Sequence, residues 1–453
     1  MLNYIWLGLI VCAVLIGGWN GQLKEVADKS LDWANIAVVN IAFTLIGVMA
    51  LWLGMMRLAE RAGLVALLAR VMAPVMRLIF PEVPPGHPAM GSMLMNIAAN
   101  LLGLNNAATP LGLRAMKDLE SLNPRPGTAT NAMCTFLAIN TSGIQLIPVT
   151  AIAILVANKS VNPTAIVGPS LLCSTCGAIA GVLMAKFLSG LPIFRVGLLG
   201  NSGSSGGEAP ANAASAAAAD KPVVQEATTL QPLKWWGSLL FGTYLLFFVL
   251  LFVRMVFPVT FDLPISADDV KNNFFIRSLN AVSVLAIPLL LSAIPLFAIL
   301  RRVKVYEEFI GGAKEGFDVA IKIIPYLVAM LVAIGMFRAA GGIDLVSKVL
   351  TPVLEFFHFP IPPDLLPMVL VRPLSGSGSL GFFTELVKNF GPDSLISRMG
   401  GTIYGSTETT FYVLAVYFGS VAVTRTRHAV LAGLTADFVG MVVAVFICRA
   451  LFT

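Results

Sequence analysis

Long runs without a charged residue recur along the chain, for example at residues 132–158, 235–253 and 278–300. A helix needs about 20 apolar residues to cross the hydrocarbon core of a bilayer, and lipid offers the backbone no hydrogen-bonding partner. Charged residues make up only 12% of the chain and hydrophobic residues 57%, which excludes a string of soluble domains. The sequence therefore predicts an all-α integral membrane protein.

The apolar runs divide into about nine predicted spans. Their ranges are 1–18, 36–56, 132–156, 164–188, 235–257, 279–300, 319–337, 396–418 and 429–451. Two further apolar segments, 87–119 and 365–390, contain glycine or asparagine breaks and are predicted to be re-entrant. Residues 57–80 and 338–359 are amphipathic and too charged to cross, so we expect them to lie in the membrane interface. The N-terminus lacks a basic region and a small-residue cleavage site, so its span is expected to be retained.

Basic residues are concentrated in alternate loops. The segment 57–77 carries four arginines against one glutamate, and further basic residues lie at 301–304 and 425–427. The loops at 24–32 and 262–277 are balanced or acidic. Because basic loops stay in the cytoplasm, we predict a multi-pass protein of the bacterial cytoplasmic (inner) membrane, with its N-terminus inside and its C-terminus outside. The basic excess thus reflects membrane orientation, and no nucleic-acid partner is expected.

A stretch rich in glycine, serine and alanine separates two apolar units. Residues 201–220 hold small side chains almost exclusively, and a polar stretch follows to residue 229. Such a composition buries no apolar surface and behaves as a flexible tether. We predict a first unit at 1–195, a cytoplasmic linker at 196–233 and a second unit at 234–453.

Two polar stretches in the second unit do not fit ordinary membrane helices. Residues 375–379 read SGSGS, and residues 405–410 read GSTETT immediately before an apolar run. Glycine costs a helix about 1 kcal/mol relative to alanine, and a carboxylate such as that of Glu408 costs roughly 2.5–3.5 kcal/mol at the bilayer centre. Breaks of this kind persist only where they are buried in protein or line a wet cavity. We therefore predict broken helices around a solute pathway.

The two units share an internal repeat. Residues 55–59 (MMRLA) match 336–340 (MFRAA), and 71–75 (VMAPV) match 349–353 (VLTPV). Each pair is followed by a proline-rich turn, a broken apolar segment and a helix interrupted by a polar island. The predicted orientation inverts one repeat relative to the other, which is typical of secondary transporters. The alternative is that these helices simply pack through small and polar residues.

The polar positions of both repeats form one predicted solute-binding set. Its members are Asn96, Asn100, Asn105, Asn106, Asn140, Thr141, Ser142, Gln145, Arg372, Ser375, Ser377, Ser379, Ser406, Thr407, Glu408 and Thr409.

Several of these assignments have open alternatives. At least two of the asparagines are expected only to cap half-helices. Arg372 either contacts an anionic group or neutralises Glu408. Glu408 and Asp437 are candidates for a coupling ion, although Asp437 fits an interhelical hydrogen bond equally well. Arg57 and Arg338 match across the repeat, but their place at span ends favours snorkelling.

The quoted segments resemble the spore maturation proteins A and B joined into one chain. The first unit carries GHPAMG, NIAANLLGLNNAATPLGLRAMKDL and FLAINTSGIQLIP, and the second carries GFDVAIKIIPYLVAMLVAIGMFRAAG, RPLSGSGSLG and GSTETTFYVLAVYFGS. The resemblance implies a nucleoside-recognition gate domain, a group that resembles concentrative nucleoside transporters. In those transporters a Gly-x-Thr-Glu motif in a broken helix contacts the solute, and residues 405–408 are similar to it.

The leading hypothesis is a secondary transporter of a small polar solute, with a nucleoside-like class suggested by the family. The alternative is a non-transporting membrane component that assists envelope or spore maturation through protein partners. No phosphate-binding loop, catalytic dyad or metal-ligand cluster is recognisable, so we expect neither an enzyme nor a cofactor. The expected partners are the solute and the lipid bilayer, and a homo-oligomer is left open.

Overall fold

A computed structural model describes residues 2–84, 86–103, 105–194, 234–258, 273–343, 345, 348, 352 and 361–452. Side chains of residues 2–5, 40, 105–107, 319–320, 322–323 and 326 are not described. The predicted linker and most of the predicted interfacial segment 338–359 lie outside the described residues. Within the described ranges the chain is helical, apart from one isolated bridge between Thr128 and Arg425. The prediction of an all-helical protein is confirmed.

The helices are numbered in chain order. They are α1 (Leu2–Trp19), α2 (Leu23–Asn35), α3 (Phe43–Arg61), α4 (Leu64–Ile79), α5 (Pro88–Leu101), α6 (Asn105–Glu120), α7 (Asn131–Thr141), α8 (Val149–Ala157), α9 (Val167–Gly190), α10 (Trp235–Val256), α11 (Phe274–Leu300), α12 (Val305–Ala339), α13 (Leu366–Val371), α14 (Gly376–Phe390), α15 (Leu395–Ser406), α16 (Thr410–Gly419) and α17 (Ala429–Phe452). A π-helical turn, Ile36–Ala42, joins α2 to α3, and short 3₁₀ turns lie at Pro163–Ile166, Pro192–Phe194 and Pro363–Leu365.

Within the described ranges, five helices are long and apolar enough to cross a membrane. They are Leu23–Arg61, Pro163–Gly190, Trp235–Val256, Phe274–Leu300 and Ala429–Phe452. The predicted spans 132–156 and 396–418 each consist of two short helices separated by the predicted polar island. Shorter apolar helices, Trp6–Trp19 and Leu327–Ala339, lie in the two other predicted spans. The total of nine spans stays a prediction.

The most extensive helix contacts join equivalent helices of the two units. Helix α3 packs on α12, and α9 packs on α17. A Cβ atom on Gly312 would lie 2.5 Å from the Leu53 carbonyl oxygen, whereas one on Gly316 would lie 2.7 Å from the Met49 carbonyl oxygen. Residue numbers therefore fall along α3 as they rise along α12, so these two helices are antiparallel. Helices α9 and α17 are antiparallel in the same way, since Gly177 contacts Gly440 and Gly181 contacts Ala436.

Each unit contains one helix that is broken at its polar island. Thr130 caps α7 by accepting a hydrogen bond from the Met133 amide, and Ser394 caps α15 by accepting one from the Ser397 amide. Such caps satisfy amides that have no partner within the helix. Helix α7 ends at Thr141, and Gly143 follows with a φ of 55°. The two caps thus fix where α7 and α15 begin, and Gly143 gives the first break a local cause.

The loop that follows α8 is tied to the loop between α14 and α15. The Asp393 carboxylate accepts hydrogen bonds from the Ser160 hydroxyl at 2.7 Å and the Val161 amide at 2.9 Å. Burial acts to raise the pKa of Asp393, but these hydrogen bonds, with a further one from the Asn162 amide and the charge of Arg398, outweigh it and lower the pKa. The carboxylate is therefore held in its charged form.

Candidate functional site

The breaks of the two units meet. The Glu408 amide donates a hydrogen bond to the Thr141 carbonyl oxygen at 2.9 Å, and the Gln145 side chain donates one to the Glu408 carboxylate at 3.2 Å. A Cβ atom on Gly143 would lie 2.9 Å from the Glu408 side chain and 3.1 Å from the Thr407 backbone. Four of the predicted site residues, two from each unit, thus lie in one place, which we call the crossing.

Arg372 is a buried cation beside the crossing. Its guanidinium donates to the Thr407 hydroxyl at 2.9 Å, to the Tyr404 carbonyl oxygen at 3.0 Å and to the Thr407 carbonyl oxygen. It also stacks on the Tyr404 ring, 4.4 Å from the ring centroid. Its charge acts on the carboxylates of Glu408 and Asp437, yet within the described part of the chain no ion pair joins it to either. Arg372 therefore fixes the end of α15 and supplies positive charge to the crossing.

The serine-rich segment begins helix α14 next to the crossing. Ser375 is its N-cap and accepts a hydrogen bond from the Gly378 amide at 3.0 Å. Ser379 donates to the Met368 carbonyl oxygen at 3.3 Å, and Ser377 lies 3.4 Å from the Ser375 hydroxyl. A Cβ atom on Gly376 would lie 3.0 Å from the Thr409 hydroxyl. The serine segment and the polar island of α15–α16 therefore share one neighbourhood.

Asparagines from the first unit form a network with a tyrosine of the second. Asn100 donates to the Asn140 side-chain oxygen at 2.8 Å, and the Tyr417 hydroxyl donates to the same atom at 3.4 Å. Asn96 lies 3.3 Å from the Tyr417 hydroxyl and donates to the Ala108 carbonyl oxygen at 2.7 Å. Asn96 and Asn100 thus link elements instead of capping helix N-termini.

The side chains of Asn105 and Asn106, which begin α6, lie outside the described residues.

Some predicted residues bond to their own helix. The hydroxyls of Thr141, Ser142 and Ser406 donate to carbonyl oxygens three residues earlier. Asp437 lies in α17 beside the crossing, where the Thr410 hydroxyl donates to its Oδ2 and its Oδ1 has no partner among the described residues. These residues lie next to the crossing, and their polar atoms bond mainly to other protein atoms.

Sequence reasoning did not select Tyr404, Tyr417 or Glu385, and it placed Thr410 in the polar island without adding it to the binding set. Glu385 is almost fully buried in α14 and forms an ion pair with Arg338, so Arg338 does not simply snorkel. Arg57 likewise pairs with Glu308 at 2.9 Å and with Glu315. Glu385 could have been found as a lone carboxylate in an apolar segment, because that position is unfavourable unless it is paired. The tyrosines carry no such signal.

The chain is similar to one protein-family model and to two curated proteins. Residues 42–158 match a family model described as "Gate: Nucleoside recognition". Over 187 residues the chain is 42% identical to spore maturation protein A of Bacillus subtilis (strain 168), covering 95% of that protein and 41% of this chain. Over 174 residues it is 42% identical to spore maturation protein B of the same organism, covering 97% of that protein and 38% of this chain. No solved structure matches the chain.

Proposed function

Because the chain belongs to the family of spore maturation proteins A and B, we propose that it is a multi-pass inner-membrane transporter of a small polar solute. The observation that carries the proposal is the crossing, where the Glu408 amide bonds to the Thr141 carbonyl oxygen at 2.9 Å. Broken helices that meet near the midplane offer unpaired backbone groups and half-helix ends to a solute. The solute site lies between the two units and uses Glu408, Arg372 and the serine segment.

The two units are inverted repeats in this proposal. The antiparallel pairing of α3 with α12 and of α9 with α17 supports it, since equivalent elements face each other across the same interface. Loop contacts support the predicted pairing of loops on the same side of the membrane as well. Asp393 binds the loop after α8, and the two loops are both predicted to lie outside. The bridge between Thr128 and Arg425 joins two loops that are both predicted to be cytoplasmic.

The solute class we propose is nucleoside-like. The matching family model is described by nucleoside recognition, and it covers the first-unit residues Thr141 and Gln145 at the crossing. A nucleoside offers hydroxyls and ring nitrogens, which suit a carboxylate, an amide and serine hydroxyls. The guanidinium of Arg372 adds a planar cation stacked on Tyr404.

The test is uptake of radiolabelled adenosine and uridine into proteoliposomes that contain the purified full chain. Glu408→Gln keeps the side-chain volume and removes the charge, so we expect uptake to fall at least tenfold with unchanged gel-filtration behaviour. Glu307→Gln is the matched control, because the Glu307 side chain is 65% exposed and pairs with Lys304. Ser377→Ala should weaken binding by about 1 kcal/mol, the net worth of one hydrogen bond.

Two outcomes contradict the proposal. Equal uptake by wild type and a well-folded Glu408→Gln variant would make this carboxylate structural. Wild-type vesicles that take up neither nucleoside would refute the solute class. The second candidate function is a non-transporting component that acts through protein partners, and the relatives' names favour it because they name spore maturation instead of a solute. Such a component would need its exposed loops and linker, and it would tolerate Glu408→Gln.

A further inference from the structure

Asp437 is a buried carboxylate with one oxygen that nothing in the described protein satisfies. The residue is 1% exposed and lies in the middle of α17. Its Oδ2 accepts the hydrogen bond from Thr410, while its Oδ1 is buried without a partner. A charged carboxylate that is buried and incompletely paired is unfavourable, so an oxygen of this kind calls for a positive partner.

Threonine methyl groups and oxygen atoms from α9 and the two helix breaks lie against the face of α17 that carries Asp437. Gly433 and Gly440 lie about one turn before and after it, on the same face of α17. A Cβ atom on Gly433 would lie 3.3 Å from the Thr141 hydroxyl, and one on Gly440 would lie 3.7 Å from the carbonyl oxygens of Cys173 and Ser406. The glycines therefore let α17 approach these oxygens closely.

Two half-helices end beside this face. Helix α7 ends at Thr141 and α15 ends at Ser406. The C-terminus of a helix carries partial negative charge and unpaired carbonyl oxygens. Oxygen ligands at unwound helix ends suit a hard cation such as Na⁺.

We propose that Asp437 binds one Na⁺ ion, with hydroxyl and carbonyl oxygens of the two helix breaks as its further ligands. A single carboxylate among neutral oxygens favours a monovalent over a divalent cation. The other charged groups that act on Asp437 are Arg372 and Glu408, and the Glu408 carboxylate is hydrogen-bonded to Gln145. The positive charge of Arg372 further disfavours a divalent ion. Only the use of this Na⁺ as a coupling ion rests on the proposed function.

The test is the thermal stability of the purified full chain in detergent at fixed pH and ionic strength, with Na⁺ replaced stepwise by choline. A ligand that binds only the folded state raises the melting temperature with its concentration. We expect a saturable rise in Na⁺ and none in choline, and we expect Asp437→Asn to abolish it. Asp32→Asn is the control, because the Asp32 side chain is 59% exposed and pairs with Lys29.

Further variants keep the test decisive if Asp437→Asn does not fold. Thr410→Val removes the hydroxyl at nearly constant shape and should raise the half-saturating Na⁺ concentration at least tenfold, whereas Thr410→Ser should keep it within about threefold. Equal melting curves of the wild type in Na⁺ and choline would overturn the proposal. So would a stability that rises only as the pH falls, because Asp437 would then hold a proton. Ser377→Ala should weaken solute binding and keep the Na⁺ response, which separates a failure of this site from a failure of the solute site.

Discussion

Replacement of Gly143 by alanine tests directly whether the two breaks meet. Gly143 has a φ of 55°, and its Cβ atom would lie 2.9 Å from the Glu408 side chain and 3.1 Å from the Thr407 backbone carbon. A left-handed backbone costs a non-glycine residue about 1–2 kcal/mol. Forcing an extra carbon into a packed contact costs about 1–3 kcal/mol more. We therefore expect Gly143→Ala to destabilise the protein by about 2–5 kcal/mol in total.

Two matched variants separate these contributions. Gly127 also has a positive φ, of 83°, but nothing lies within 4 Å of its Cβ position, so Gly127→Ala carries only the backbone cost of about 1–2 kcal/mol. Gly91 lies inside α5 with open space at its Cβ position, so Gly91→Ala should be neutral or stabilising by up to about 1 kcal/mol.

The measurement is the midpoint of thermal or SDS-induced unfolding of the three purified variants beside wild type. The expected order of stability is Gly91→Ala, then Gly127→Ala, then Gly143→Ala. The difference between the last two measures the contact between the units. If Gly143→Ala is no less stable than Gly127→Ala, the breaks do not touch, and the crossing cannot be a shared site.

Three further predictions follow from other parts of the molecule. Asp393→Asn should lower the free energy of unfolding by about 1 kcal/mol at pH 7. Because the pKa of Asp393 is lowered in the folded state, the difference in melting temperature between this variant and wild type should disappear as the pH falls below about 4. A difference that persists there would contradict the ionic explanation. In a cysteine-free variant, a cysteine placed at Thr453 should react strongly with an impermeant reagent in intact cells, and one placed at Ser204 should not react. Equal labelling of the two positions would refute the inverted orientation. Cutting the chain between residues 213 and 220 and co-expressing the halves should still give a co-purifying pair, since a tether adds only effective concentration; halves that are stable but separate would show that the tether is required.

The sequence by itself determined the class of protein, the helices and the positions of their breaks. These properties are local: apolar runs of about 20 residues require a membrane, and glycine, asparagine and serine clusters interrupt helices through their own backbone preferences. The polar islands at 140–145 and 405–410 are breaks in the structure for this reason. The family resemblance, drawn from the same segments, is confirmed by the comparisons.

Only the tertiary structure decided which polar groups share a site. The carbonyl of Thr141 and the amide of Glu408 come from different units, and no local pattern predicts that they bond to each other. Tyr417 bonds to two first-unit asparagines although it lies in an apolar run, where an aromatic residue is expected to pack against apolar neighbours. Asp437 gains its unpaired buried oxygen from helices packed around it. Contacts between segments distant in sequence depend on the packing of whole helices, and that packing is set by the shapes of all their surfaces together.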